Sequence, residues 1–210
     1  MSLSLQKGSG VELRRRRQTF QATSTGDYVS TSSSQIRIEI NVDKEVMDFD
    51  TGYLLFDFSA IKSAATNDLI SNPWTASTWI KDLRVYDRAG REIGEQVRQY
   101  NGMVRKRMEL LGNEGANANY LDVLEGAAGI TSLASATIAA QEFAHKFQTH
   151  IFDLKSYFPA HLMGGLIIEI DMEDANNVLH METTGETITS YTVTNVRYVC
   201  DLVLLKADAE

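Results

Sequence analysis

Hydrophobic and polar positions alternate along most of this chain, and that alternation marks strands. In "SQIRIEINV" the residues Ile36, Ile38, Ile40 and Val42 fall on one face, while Arg37, Glu39 and Asn41 fall on the other. A turn-like stretch, "DKEVMDFDTG", leads to "YLLFDFSA", which is apolar on both faces at its centre. That pattern predicts a strand covered on both sides. After a loop around Asn72-Pro73 comes "STWIKDLRVYD", with Trp79, Leu83 and Val85 on one face and Ile80 and Tyr86 on the other.

The period then changes. "DRAG" reads as a turn, and beyond it Ile93, Val97, Tyr100, Val104, Met108 and Leu111 recur every three to four residues. This is the apolar stripe of one amphipathic helix, which Gly112 would stop. Residues 113–139 are small and weakly patterned, and they read as a long Ala/Gly-rich insertion, helical in part at most.

Strand patterns return in "QEFAHKFQTHIFD", in "LIIEIDMED" and in the long closing segment "SYTVTNVRYVCDLVLL". Weaker strand candidates lie at 46–50, 91–93 and 179–189. About six strands, joined by irregular links with a single helix, predict a mainly β chain folded as an antiparallel β-sandwich. A parallel sheet would need a helix in every link.

Composition changes this picture little. The chain has 210 residues, 43% hydrophobic and 23% charged, which suits one globular domain with a substantial core. Its longest apolar run, around 162–170, is strand-sized, and the first residues lack the apolar stretch of a secretory signal. A single cysteine, Cys200, permits no internal disulfide and reads as a small apolar strand residue.

Charge adds more. Residues 1–34 hold five basic and two acidic residues, a net of +3, so the other 176 residues carry −11 of the total −8. This first segment is rich in Ser, Thr, Gly and Gln and contains "RRRR". It reads as a flexible basic arm, mobile or extended, ahead of one domain at 35–210. Arg14, Arg15, Arg16 and Arg17 are candidates for contact with nucleic acid or a shell interior, because guanidinium groups suit phosphates. The plainer reading is a solvated charge run.

Other candidate chemistry is sparse. Glu169, Asp171 and Glu173 share one strand face, and their carboxylate oxygens are ligands a calcium ion would take between subunits. The plainer reading is again a solvated face. His145, His150, His161 and His180 are scattered, and the first two fall on opposite strand faces, so they suggest no metal catalysis. Gly164-Gly165 precedes a strand, whereas a phosphate loop precedes a helix. No nucleophile motif stands out, and neither a cofactor nor a small-molecule substrate is indicated.

The order of these segments resembles that of the jelly-roll capsid proteins of icosahedral viruses, in the lineage of tailless phages and large DNA viruses. The resemblance rests on "SQIRIEINV", "DTGYLLFDFSA", "STWIKDLRVYDRAGREIGE", "YFPAHLMGGLIIEIDMEDANNVL" and "YTVTNVRYVCDLVLL", and it covers 35–110 and 140–206. It implies a single jelly-roll domain and a non-enzymatic structural subunit of a virion shell. The subunit would be a major capsid or vertex protein, assembling with its own copies and other capsid subunits. Through the basic arm it would also reach the genome. Relatives with two jelly rolls in tandem leave a third role open, one half of a larger protein. A rival reading is a jelly-roll module that binds a receptor or carbohydrate, for which Trp74 and Trp79 would form an exposed aromatic platform.

Overall fold

A computed structural model describes residues 13–24, 26–33, 35–63, 77–93, 96–111, 137–178 and 188–205. Its strands are β1 (Leu13–Gln21), β2 (Tyr28–Val29), β3 (Gln35–Ile40), β4 (Val46–Lys62), β5 (Ile80–Asp87), β6 (Thr137–His145), β7 (Leu166–Met172) and β8 (Ile188–Leu205). Between them lie the helix α1 (Tyr100–Leu111), a 3₁₀ turn at Ala160–Met163 and the short helix α2 (Ala175–Val178). Every strand pairing is antiparallel. One sheet runs β1-β8-β4-β6, with β2 also on β8, and the other runs β3-β7-β5.

The two sheets bury their facing sides together, as the alternation requires. Ile36, Ile38 and Ile40 of β3 and Ile168 and Ile170 of β7 are fully buried. So are Leu54 and Phe56 of β4 and Tyr191, Tyr198 and Cys200 of β8. Phe58 stacks on Tyr191, and Phe56 meets Trp79 edge-on. The mainly β sandwich read from the sequence is therefore the observed one.

Local expectations change in four places. The turn-like stretch before β4, which held the weaker strand candidate 46–50, is the strand's own beginning. Val46, Met47 and Asp48 pair with Val203, Leu202 and Asp201 before the register shifts ahead of Tyr53. The irregularity that hid the strand is this bulge. Gly52 lies in it, and any Cβ there would run into the Tyr198 ring. The central part of β4 is covered on one face only: Leu54, Phe56 and Phe58 are buried, but Tyr53, Leu55 and Asp57 are half-buried.

The helix begins later than its stripe suggests. Asp87 and Arg91 close a three-residue hairpin loop that contains Gly90 at φ +79: the Asp87 amide donates to the Arg91 carbonyl at 2.8 Å and the Arg91 amide to Asp87 Oδ1 at 2.7 Å. Residues 91–93 and 97 then lie back along β5. Ile93 N–H donates to the Val85 carbonyl at 2.8 Å, and Val97 exchanges both backbone hydrogen bonds with Leu83. Gln99, at φ +54, breaks the path, and its amide donates to Asp82 Oδ1 at 2.9 Å. Only then does α1 start. Ile93 and Val97 share the helix's apolar environment because hairpin return and helix pack on one core.

The third change is at β6, which ends at His145; residues 146–159 then fold as an irregular segment. Phe147 and Phe152 of that segment pack on Tyr198 and, through Phe152, on Phe49. They close one end of the sandwich. Tyr100 joins them from α1: its hydroxyl accepts from the Gln148 amide and hydrogen-bonds His145 Nε2, each at 2.8 Å. Val104 of the same helix is fully buried within the chain. The side chains of Met108 and Leu111 lie outside the described residues.

The fourth change concerns the basic arm. From Leu13 onward it is a strand of the sheet, with Leu13–Gln21 matched residue for residue to Leu205–Arg197. The path continues along β8: Ala22 N–H donates to the Val196 carbonyl, Tyr28 and Val29 pair with Val193 and Thr192, and Ser30 N–H donates to the Tyr191 carbonyl. A low-complexity sequence becomes ordered here because β8 offers a long edge of unpaired backbone groups.

Candidate assembly surface: the arginine edge and the acidic row

The four arginines occupy an edge strand, so alternation sends them to two faces. Arg15 and Arg17 share the outer face. Arg15 Nη2 lies 3.3 Å from Asp48 Oδ2 and donates to Tyr157 Oη at 3.2 Å, while its Nη1 lies 3.6 Å from Asp201. Arg17 Nε lies 3.8 Å from Asp201, Nη2 donates to the Thr51 carbonyl at 3.3 Å, and the guanidinium sits 5.0 Å from the Tyr53 ring centre. On the other face Arg16 grips Glu45 with both prongs, at 2.5 and 2.6 Å, and Gln18 at 2.7 Å. Arg14 is exposed.

The electrostatics follow. The hydrogen bond from Arg16 holds the Glu45 carboxyl below its ordinary value, and the Arg14 charge adds to this. Hydrogen bonding to Tyr157 raises the Arg15 guanidinium. Asp48, whose side chain is 1% exposed, lies beneath Arg15. Among the described residues, the four arginines of this edge thus lie near three carboxylates.

The sequence reading missed these partners. Its available signal was the acid within an apolar strand: Asp48 in "VMDFD" and Asp201 in "VCDLV". An ionised carboxylate inside such a run needs a cation nearby.

The structure brings Glu169 and Asp171 together on β7 but turns Glu173 away. Arg84 binds Asp171 at 2.6 Å and Arg37 lies 3.6 Å from Glu169, while Gln35 donates to both. Glu173 lies beyond the end of β7 and accepts from Asn101 of α1, from the Asp174 amide and from Asn177 of α2. The row is a ladder of cross-strand ion pairs, and Glu173 instead joins α1 to α2. No cluster of three metal-ligating side chains occurs among the described residues.

The remaining candidates are dispersed. His145 is buried beside Tyr100, His150 is exposed and His161 sits in the 3₁₀ turn; His180 lies outside the described residues. Burial pushes the Cys200 thiol up to about 12, which suits a core residue rather than a nucleophile. Trp79 is fully buried against Phe56, so it forms no exposed platform; Trp74 lies outside the described residues. Among the described residues, the large apolar side chains left exposed are Leu162, Ile61 and Leu204, which are scattered.

No family model and no curated protein matches the chain. Solved structures do. PBCV-1 VP54, fitted into a reconstruction of the virophage Sputnik, superposes with a TM-score of 0.55 at 12% identity, covering 95% of this chain and 44% of that one. A chain of the PBCV-1 virus capsid gives 0.54 at 12%, with the same coverages. A chain of the Sputnik virophage gives 0.53 at 13%, covering 95% and 49%. The fold is that of viral capsid proteins. The jelly-roll resemblance read from the order of segments is thus present in three dimensions. This chain spans less than half the length of the capsid proteins it matches.

Proposed function

We propose that the chain is a structural capsid subunit that assembles with its own copies and other capsid subunits into the icosahedral shell of a virion, as a major or vertex component, without enzymatic activity. The observation that carries this reading is the capsid fold extending over 95% of the chain. Its distribution of polar groups agrees. Among the described residues, carboxylates and guanidiniums on the outer faces of both sheets are matched to one another across strands, an arrangement that maintains shape.

Calcium between subunits is not proposed, since Arg37 and Arg84 already occupy the acidic row. Nucleic acid is no part of the proposal either. At Arg15, Arg16 and Arg17 phosphates would compete with Asp48, Glu45 and Asp201. Sedimentation velocity on the purified chain over a wide concentration range tests assembly, and large closed species are expected. A strictly monomeric chain that gains mass only with an added glycan or single-stranded nucleic acid would replace assembly with a binding role.

A further inference from the structure

We propose that the N-terminal strap, residues 13–30, is exchanged between copies of this chain, so that β1 and β2 of one copy lie along β8 of another. This rests on the assembly reading, which it deepens by naming the element that crosses between subunits.

Three observations carry it. First, strap and body are joined chiefly by backbone pairing and charge. Among the strap's described side chains only Phe20, Ala22 and Tyr28 are buried. The rest of the attachment includes the ladder to β8, the two bonds from Thr23 to the Arg37 carbonyl, and the contacts of Arg15–Arg17 with Glu45, Asp48, Asp201 and Tyr157. Second, the charges are segregated. All four arginines lie on the strap, and their three carboxylates lie on the body. The body carries −11 while residues 1–34 carry +3. Any copy's body therefore attracts any copy's strap, and an exchanged strap recovers every hydrogen bond and ion pair it leaves. Exchange of an identical element then costs little beyond the hinge. The segment at Ser30–Ser33 is the natural hinge: it lies between β2 and β3 and turns through bonds from the Ser32 and Ser33 amides to the Val29 carbonyl.

Third, the plain alternative is closed off. Among the described residues, β1 is the last strand of its sheet. Adding another copy's β1 to that edge would bring two arginine runs together. Like charges on facing strands repel, and a charged edge resists such pairing. Exchange joins copies through the same strand without that contact.

Cysteine pairing distinguishes the two states. Thr19 and Val199 are direct cross-strand partners, within the reach of a disulfide. Thr19→Cys and Val199→Cys are made separately, each with Cys200→Ala. The two chains are mixed, refolded together at high concentration, sized on a column and oxidised. The expected result is a disulfide-linked species of twice the chain mass within the assembled fraction. The chain carrying both substitutions serves as reference. Refolded at high dilution it should give an intrachain link, which shows that the pair closes. Assembled particles without linked dimers, together with an intrachain link in the double variant, would overturn exchange and leave assembly standing. Linked dimers without larger particles would keep exchange and refute the shell. Unlinked monomers at every concentration would refute both.

Discussion

The closed end of the sandwich and its arginine edge are held by opposite kinds of force. At the closed end Phe49, Phe147, Phe152, Tyr100 and Val104 exclude water, and one tyrosine hydroxyl joins α1 to the segment after β6. At the edge the arginines remain about half exposed and work through ion pairs. Burial is insensitive to salt and punishes changes of volume or polarity. Exposed pairing is weak, screened and reversible. The molecule thus has a fixed end and a releasable edge, which is useful for a subunit that must keep its shape while joining others.

The largest effect should come from breaking the closed end. Val104→Asp places a charge where no surface is exposed, and about 4 kcal/mol or more should be lost. The melting temperature of the isolated chain should fall by roughly 10 °C or more. A variant that melts like the parent but no longer assembles would place this helix face against a neighbouring subunit instead. Tyr100→Phe keeps the ring but removes the hydroxyl shared by Gln148 and His145. A loss of about 1–3 kcal/mol is expected in denaturant titration, with little dependence on salt.

At the edge, effects should be smaller and should respond to the solvent. Arg15→Ala uncovers the Asp48 carboxylate, and about 1–2 kcal/mol should be lost in low salt, shrinking as salt rises. Equal losses in low and high salt would mean that Arg15 acts by packing. Arg16→Ala should cost about 1 kcal/mol or less. It should also alter the acid response. Glu45 is held below its ordinary value of 4.5 by Arg16, so its contribution is full above that value and disappears as pH falls through the lowered one. Asp87, held below 3.8 by the Arg91 amide, acts in the same direction. Stability measured from pH 7 to pH 3 should therefore fall less steeply in Arg16→Ala than in the parent. Parallel curves would mean that Glu45 does not stabilise the edge.

The contrast also explains what could be read from the sequence. Strands that alternate, such as Gln35–Ile40 and, from Ile168 on, Leu166–Met172, were legible because each buries one face in the core. A bulge left the start of β4 visible only as the weaker candidate 46–50, and the true start of α1 was hidden by a hairpin whose apolar residues fall at helical spacing. The arginine strand was least legible. Its order comes from a partner more than 170 residues away, and nothing local in "LRRRRQTFQ" marks it as a strand. The candidate residues were visible, but the partners they take within the chain were not. The carboxylates that Arg15, Arg16 and Arg17 meet are scattered in sequence and converge only in the folded sheet.

Electron microscopy of the purified full-length chain under assembly conditions tests the central claim most directly. The account expects closed icosahedral particles of uniform diameter, with sandwich-shaped density repeating over the shell. Fields containing only single 23.4 kDa subunits, at every concentration, salt and pH tried, would contradict it.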